Sequence, residues 1–325
     1  MKASAKANAN IALIKYWGKK DKTLNIPFNS SLSVTLDKLF TITSVEFNKD
    51  LSNDIFVIND SIQSDSEHSK LSLFLDLVRN RAGINFKAKV ISENNFPTAS
   101  GLASSSSGFA ALALAATKAA GLNLSPKELS ILARKGSGSA SRSVYGGFVM
   151  WEKGEAGVDE SSFATQLFDE NYWPEFKVVV VILQNEKKDT SSRDGMNNTV
   201  ATSPFYNVWL ATIDEDLKNL RNALKNKNFT ALGETAELNC LKMHATMLTA
   251  KPSLVYWNSQ TVELMKLISK WRAENLEVYF TIDAGPQVKI LCLDKDLIRL
   301  QKKLSELKFI QNIIVCSAGS GAKLI

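Results

Sequence analysis

Five short segments of this chain carry residue types that can do chemistry. The densest runs Pro97-Thr98-Ala99-Ser100-Gly101-Leu102-Ala103-Ser104-Ser105-Ser106-Ser107-Gly108. Its small side chains let backbone come close to a ligand. A helix behind it points free N–H groups and a positive dipole end at an anion. Ser104, Ser105, Ser106 and Ser107 add hydroxyl donors. The segment has the make-up of a phosphate cradle, but no Gly-Lys-Ser or Gly-Lys-Thr follows it, so it is not a P-loop. Taken alone, the same composition also describes a serine-rich loop that caps a helix.

The second segment, Gly136-Ser137-Gly138-Ser139-Ala140-Ser141-Arg142-Ser143-Val144-Tyr145-Gly146-Gly147, adds one fixed cation to another small-residue loop. Arg142 can grip a phosphate or carboxylate with two parallel hydrogen bonds. A glycine turn with an exposed arginine is the plainer alternative. In the third, Lys15 follows the apolar run Ile11-Ala12-Leu13-Ile14. A partly buried lysine needs an anionic partner, unless its stem snorkels from a strand edge. In the fourth, Asp283 stands between Tyr279-Phe280-Thr281-Ile282 and the turn Ala284-Gly285-Pro286. A carboxylate there can act as a base or orient a hydroxyl, although an acid ahead of Gly-Pro is also ordinary turn chemistry. The fifth, Lys187-Lys188-Asp189-Thr190-Ser191-Ser192-Arg193, reads as an anion site or as a solvated linker with a helix cap. Together these segments suit phosphoryl transfer, in which positioning and charge neutralisation do most of the work.

Other chemistries are poorly supplied. His68 and His244 are the only histidines, and Cys240, Cys292 and Cys316 are scattered. Neither a zinc site nor a Ser-His-Asp triad is signalled. The net charge of +6 is open to nucleic acid, an anionic membrane or a small anionic substrate. No block of Lys and Arg exists, and the nearest cluster, Lys19-Lys20-Asp21-Lys22, is interrupted by an acid. Nucleic acid is therefore not an expected partner. The start, Met1-Lys2-Ala3-Ser4, lacks the apolar core of a signal peptide. No apolar run approaches the ~18 residues that cross a membrane. The expectation is a cytoplasmic protein with reduced thiols and no membrane partner.

The elements that position these segments follow from periodicity. Residues 31–47 form one long strand or a hairpin, continued at 55–58. A helix over 66–82 stops at Gly83, a strand covers 86–92, and an Ala-rich helix covers 108–120. Ser125-Pro126-Lys127-Glu128 opens the next helix with a capping box. Strands follow at 144–151 and 176–183, the second with the continuous apolar run of a buried one. Helices near 203–225, 228–248 and 254–274 precede strands at 276–282 and 287–293. A helix near 295–306 and a strand at 310–316 close the chain. Strands and helices mix without strict alternation, so the class is α+β. A boundary near 184–200 splits it into 1–185 and 186–325.

NIALIKYWGK, NSSLSVTL, PTASGLASSSSG, GSGSASRSVYGGF and FTIDAGP, in that order, closely resemble the diphosphomevalonate decarboxylases of the GHMP kinase superfamily. KKDTSSRDGM and the chain length are most like the Gram-positive type. The resemblance implies a two-domain fold. A nucleotide-binding domain similar to the second domain of ribosomal protein S5 precedes a ferredoxin-like domain, with the site in the cleft. It implies phosphorylation of the 3-hydroxyl of mevalonate 5-diphosphate by ATP with Mg2+. Loss of phosphate and CO2 then gives isopentenyl diphosphate for isoprenoid biosynthesis. It also implies a homodimer.

The resemblance assigns roles by motif. Asp283 orients or deprotonates the 3-hydroxyl, Arg142 holds the substrate carboxylate, Asn10 fixes Arg142, and Lys15 lies at the reacting centre. Tyr16, Lys19, Ser137, Ser139, Ser192 and Arg193 hold the diphosphate. Ser92, Asn94, Gly101 and Ser104, Ser105, Ser106 and Ser107 line the nucleotide site, with Lys187 and Lys70 approaching it and Ser105 on the metal. Thr98-Ala99-Ser100 departs from the family's usual Thr-Ala-Ala. A phosphomevalonate decarboxylase, a mevalonate 3-kinase and a catalytically dead ligand sensor are the competing expectations.

Overall fold

The computed structural model describes residues 1–62, 65–96, 104–183 and 190–325. Two main sheets organise it. The larger has eight strands, running Lys323–Leu324, Lys2–Ile14, Ser31–Asn48, Lys87–Asn94, Ile55–Ile58 and Ser61–Ile62. Phe148–Trp151 branches from Ser31–Asn48 and pairs in turn with Ala164–Phe168. The span expected as strand or hairpin is a single strand, antiparallel to Lys2–Ile14 along most of its length. Beyond Leu39 it alternates: Thr41, Thr43, Val45 and Phe47 are buried, and their neighbours are partly open. The helix Ser104–Ala119 lies on both long strands. Its Ala110, Ala111, Ala113, Ala115 and Ala116 are fully buried, and their small side chains allow that close approach. The next helix, Pro126–Gly136, begins with the expected capping box between Ser125 and Glu128.

The second sheet holds Tyr279–Ile282, Val288–Leu293, Phe176–Ile182 and Asn312–Cys316, antiparallel throughout. Both of its faces are covered. Val179, Val181 and Ile290 pack with Leu264, Ile268, Trp271, Leu300 and Leu304. Val178, Val180, Leu291 and Tyr279 pack with Trp209, Leu217, Phe229 and Leu232. Burial on two sides explains the unbroken apolar run of Phe176–Ile182. That strand falls within the expected 1–185 segment yet pairs in the second sheet, and Lys323–Leu324 returns to the first.

Three local expectations shift. The Ala-rich helix starts at Ser104 rather than 108, so the serines form its first turn. The expected strand over 144–151 is shortened to Phe148–Trp151, because Gly147 takes a φ of +68° that only a turn accommodates well. A separate helix, Ser192–Thr202, precedes Tyr206–Lys225, and Ser203-Pro204 divides them. All three cysteines are buried and free, so none is placed at a surface to cross-link copies.

Candidate active site

The strand Lys2–Ile14 runs between the two units and delivers Lys15 at its end. Lys15 Nζ lies 2.6 Å from Asp283 Oδ1. Lys289 Nζ lies 3.4 Å from the other carboxylate oxygen, Oδ2. The Lys15 and Lys289 side chains are 1% and 0% exposed, and that of Asp283 is 24% exposed. Of the three, the carboxylate is the one within reach of a ligand. Burial by itself raises a carboxyl pKa, but here the two ammonium groups outweigh it and hold Asp283 well below the usual range.

The helix Phe229–Leu248 fixes both partners. Asn239 Oδ1 accepts from the Lys15 backbone N–H at 2.8 Å, and Asn239 Nδ2 donates to Asp216 Oδ2 at 2.8 Å. Asp216 Oδ1 in turn accepts from Lys242 Nζ at 2.9 Å. The next residue, Cys240, accepts through Sγ from the N–H of Ile282 at 3.1 Å, and one turn further His244 Nε2 lies 3.3 Å from the Ile282 carbonyl oxygen. Burial first, and Lys15 next, push His244 down to about 3, so it stands as a neutral ring beside the Asp283 turn.

Arg142 sits in the helical turn Ala140–Ser143 and is buried. Its Nε donates to Asn10 Oδ1 at 3.1 Å and its Nη1 to Ser31 Oγ at 2.5 Å. Asn10 Nδ2 donates to the Ser139 carbonyl at 3.0 Å and to Ser143 Oγ at 2.8 Å. The first strand thus fixes the arginine loop as well as carrying Lys15. Burial lowers the guanidinium to about 10, with Asp283 and Tyr16 opposing that shift, so it stays charged near neutrality. The Tyr16 hydroxyl is buried without a hydrogen-bond partner among the described residues. A Cβ on Gly138 would lie 3.1 Å from that hydroxyl and 2.7 Å from the Trp151 ring, so glycine makes the room for both.

Cations gather beyond Tyr16. Burial lowers Lys19 to about 8, and Arg193, Lys70 and Lys22 push it further the same way. Lys19 Nζ donates to Asn25 Oδ1 at 2.5 Å. Arg193 is exposed in the first turn of Ser192–Thr202, directly after Ser192. Lys70, expected near the nucleotide, lies within electrostatic range of Lys19 and pairs with Glu67 at 3.7 Å.

The serines divide. Ser105 is exposed at the start of its helix and accepts from Ser137 Oγ at 3.2 Å, and Ser137 and Ser139 are 3.4 Å apart. The two small-residue loops therefore touch. Ser106 and Ser107 are fully buried, and Ser107 Oγ bonds Thr41 Oγ1 at 2.7 Å, so these two hydroxyls face the fold. Ser104 and Ser105 remain toward the surface. Ser92 bonds Thr43 at 2.8 Å, and Asn94 Oδ1 accepts from Thr41 at 2.5 Å. Gly101, Lys187 and Thr98-Ala99-Ser100 lie outside the described residues.

The structure adds Lys289 and Asn239, which the sequence reading passed over. The signal for Lys289 was present: it interrupts the apolar Val288-Lys289-Ile290-Leu291 much as Lys15 ends its own run. Among the described residues no group of three His, Cys, Asp or Glu gathers to hold a metal, and no helix is long and apolar enough to cross a membrane.

Comparison with known proteins identifies the family. Residues 7–164 match the diphosphomevalonate decarboxylase-like N-terminal domain, and residues 178–324 match the mevalonate 5-diphosphate decarboxylase C-terminal domain. The diphosphomevalonate decarboxylase of Candida albicans is 37% identical over 89% of this chain and 83% of its own length. The mevalonate diphosphate decarboxylase of Staphylococcus aureus superposes with a TM-score of 0.94 at 46% identity, covering 100% of this chain and 98% of the other. The enzyme from Enterococcus faecalis gives 0.93 at 45%, covering 100% and 99%. A structure of MDDEF in complex with MVAPP, AMPPCP and magnesium gives 0.94 at 46%, with the same coverage of 100% and 99%. With both domains matched and the fold shared end to end, the chain belongs to the diphosphomevalonate decarboxylase family of GHMP-type folds.

Proposed function

We propose that this protein catalyses the ATP-dependent decarboxylation of mevalonate 5-diphosphate to isopentenyl diphosphate, ADP, phosphate and CO2. The observation that carries the reading is the Lys15–Asp283–Lys289 cluster, with Arg142 close enough to feel the carboxylate.

Asp283 accepts a hydrogen bond from the 3-hydroxyl and aims its oxygen at the γ-phosphate. Its depressed pKa makes it a weak base, so orientation is its main contribution. Arg142, braced by Asn10 and Ser31, holds the carboxylate without enclosing it. Once the 3-oxygen is phosphorylated, the electron pair of the bond to CO2 forms the double bond as phosphate departs. Lys15 is sealed behind Asp283 and acts through it. Tyr16, Lys19, Ser137, Ser139, Ser192 and Arg193 hold the diphosphate. The Tyr16 hydroxyl, which has no partner among the described residues, and the cations that press on Lys19 support that role.

The first turn of Ser104–Ala119 carries no acid, which suits nucleotide phosphates at its N–H groups. Ser104 and Ser105 are the accessible hydroxyls there, and Ser106 and Ser107 contribute backbone. Among the described residues no carboxylate cluster gathers, so a magnesium ion would be carried in on the phosphates, with Ser105 beside it. When bound, Mg2+ neutralises charge on the transferring phosphoryl group. A homodimer in the cytoplasm completes the reading, and sedimentation tests the dimer.

Purified protein given ATP, Mg2+ and mevalonate 5-diphosphate should release CO2 and ADP one to one. ADP without CO2 selects a 3-kinase. Turnover of the monophosphate in preference to the diphosphate selects a phosphomevalonate decarboxylase.

A further inference from the structure

Among the described residues, Lys289 is the one fully buried cation at this centre without an assigned role. In the hairpin of Tyr279–Ile282 and Val288–Leu293 it stands opposite Thr281, two residues before Asp283, on the face packed toward the first strand. Strand pairing therefore sets its ammonium at ion-pair distance from Asp283 Oδ2, 3.4 Å, and it also donates to the Gln287 carbonyl at 3.3 Å. Lys15 holds Oδ1 from the opposite side. Two sealed cations share one carboxylate, with Arg142, Cys240 and His244 as the remaining titratable neighbours of the cluster. Burial favours the neutral forms of Cys240 and His244, and it also lowers Lys289 while Asp283 opposes that shift, so sealing an ammonium here carries a cost. An apolar side chain at 289 would avoid that cost, and Asp283 would keep its pair with Lys15 rather than be left as an unpaired buried charge.

We infer that Lys289 is a positioning residue, which anchors Asp283 Oδ2 and keeps the carboxylate ionised while the substrate hydroxyl competes with Lys15 for Oδ1. The inference rests on the proposed reaction. With one oxygen tethered from behind, the carboxylate cannot rotate or take a proton from water when its partner at the other oxygen changes. Two anchors on opposite oxygens thus preserve the aim of the group through the phosphoryl transfer.

Lys289→Met and Lys289→Gln test it through kcat against pH and melting temperature against pH. The expected result is an acid limb of kcat moved upward by about one pH unit, the low end of what one neighbouring charge does. With Asp283 starting well below the usual carboxylate range, the loss should widen only as pH falls below about 4, and it should be equal at pH 5.5 and pH 8. The melting temperature at pH 8 should be held or raised, and its fall on acidification below the unfolded carboxylate value of about 4 should be smaller in the variants than in wild type. Asp283→Asn should abolish that difference in melting behaviour. A lowered melting temperature in both variants with an unmoved acid limb would mark a structural lysine and overturn the inference. So would a loss that is uniform with pH, or no loss at all. Wild-type protein that releases no CO2 defeats the proposed reaction instead. Wild-type protein that does release it, beside variants with an unmoved profile, defeats the role of Lys289 alone.

Discussion

The two ends of the site are built on opposite electrostatic plans. At the reacting end each charge already has a partner: Asp283 has Lys15 and Lys289, and Arg142 has Asn10 and Ser31. At the far end Arg193 and Lys70 both press on Lys19, whose hydrogen-bond acceptor is the neutral Asn25, and the Tyr16 hydroxyl has no partner among the described residues. The first plan fixes geometry before substrate arrives, which is what transition-state stabilisation needs. The second stores repulsion that a polyanion relieves, which is what affinity needs. Damage at the first end should therefore appear in kcat, and damage at the second in KM.

Asp283→Ala should give the largest effect, a fall in kcat of about 10²–10⁴-fold with ATP binding retained in calorimetry. Unchanged turnover would remove the carboxylate from the chemistry. Arg142→Lys keeps charge and loses the fork, and it should cost roughly 10²-fold in kcat/KM through misplacement of the substrate carboxylate. Asn10→Ala touches no substrate in this reading. Leaving Arg142 Nε without its acceptor is worth about 1–3 kcal/mol, so roughly a tenfold loss is expected in steady-state assays. If Asn10→Ala were as damaging as Arg142→Lys, the braced-arginine picture would need revision.

The smallest effects belong to the far end. Lys19, lowered to about 8, should put an alkaline limb on kcat/KM with kcat little changed. Lys19→Arg should erase that limb. A lowered lysine releases its proton earlier in the folded state than in the unfolded chain. Its penalty is therefore full below about pH 8 and relieved as pH rises toward the ordinary lysine value. Inorganic pyrophosphate should accordingly raise the melting temperature more at pH 7 than at pH 9.5, and less in Lys19→Gln.

Features governed by local rules could be read from the chain. The capping box of Ser125 and Glu128, the long strand now seen as Ser31–Asn48 and the buried strand Phe176–Ile182 needed only near neighbours in sequence. Lys15 was legible because a cation ending an apolar run asks for an anion. Lys289 makes the same request in weaker form, since one polar residue in a strand also fits ordinary alternation. Only the packing of the sheet on both faces shows that its side chain is sealed. Asn239 gave no signal at all, for an asparagine mid-helix acquires meaning from the strand it meets 224 positions away. The helix Ser192–Thr202 was hidden for a different reason. It buries little beyond Gly195 and Thr199, so its sequence lacks the apolar stripe that marks a helix.

The end of the first strand is stitched to the second unit at several points. Asn239 takes the Lys15 N–H at 2.8 Å, Tyr206 donates to the Trp17 carbonyl at 2.7 Å, and Lys15 itself grips Asp283. A seam of this kind behaves as a weld rather than a hinge. Swinging the two halves apart would break the catalytic group from its own supports, so the molecule has to admit and release its ligands at the rim while its floor stays still.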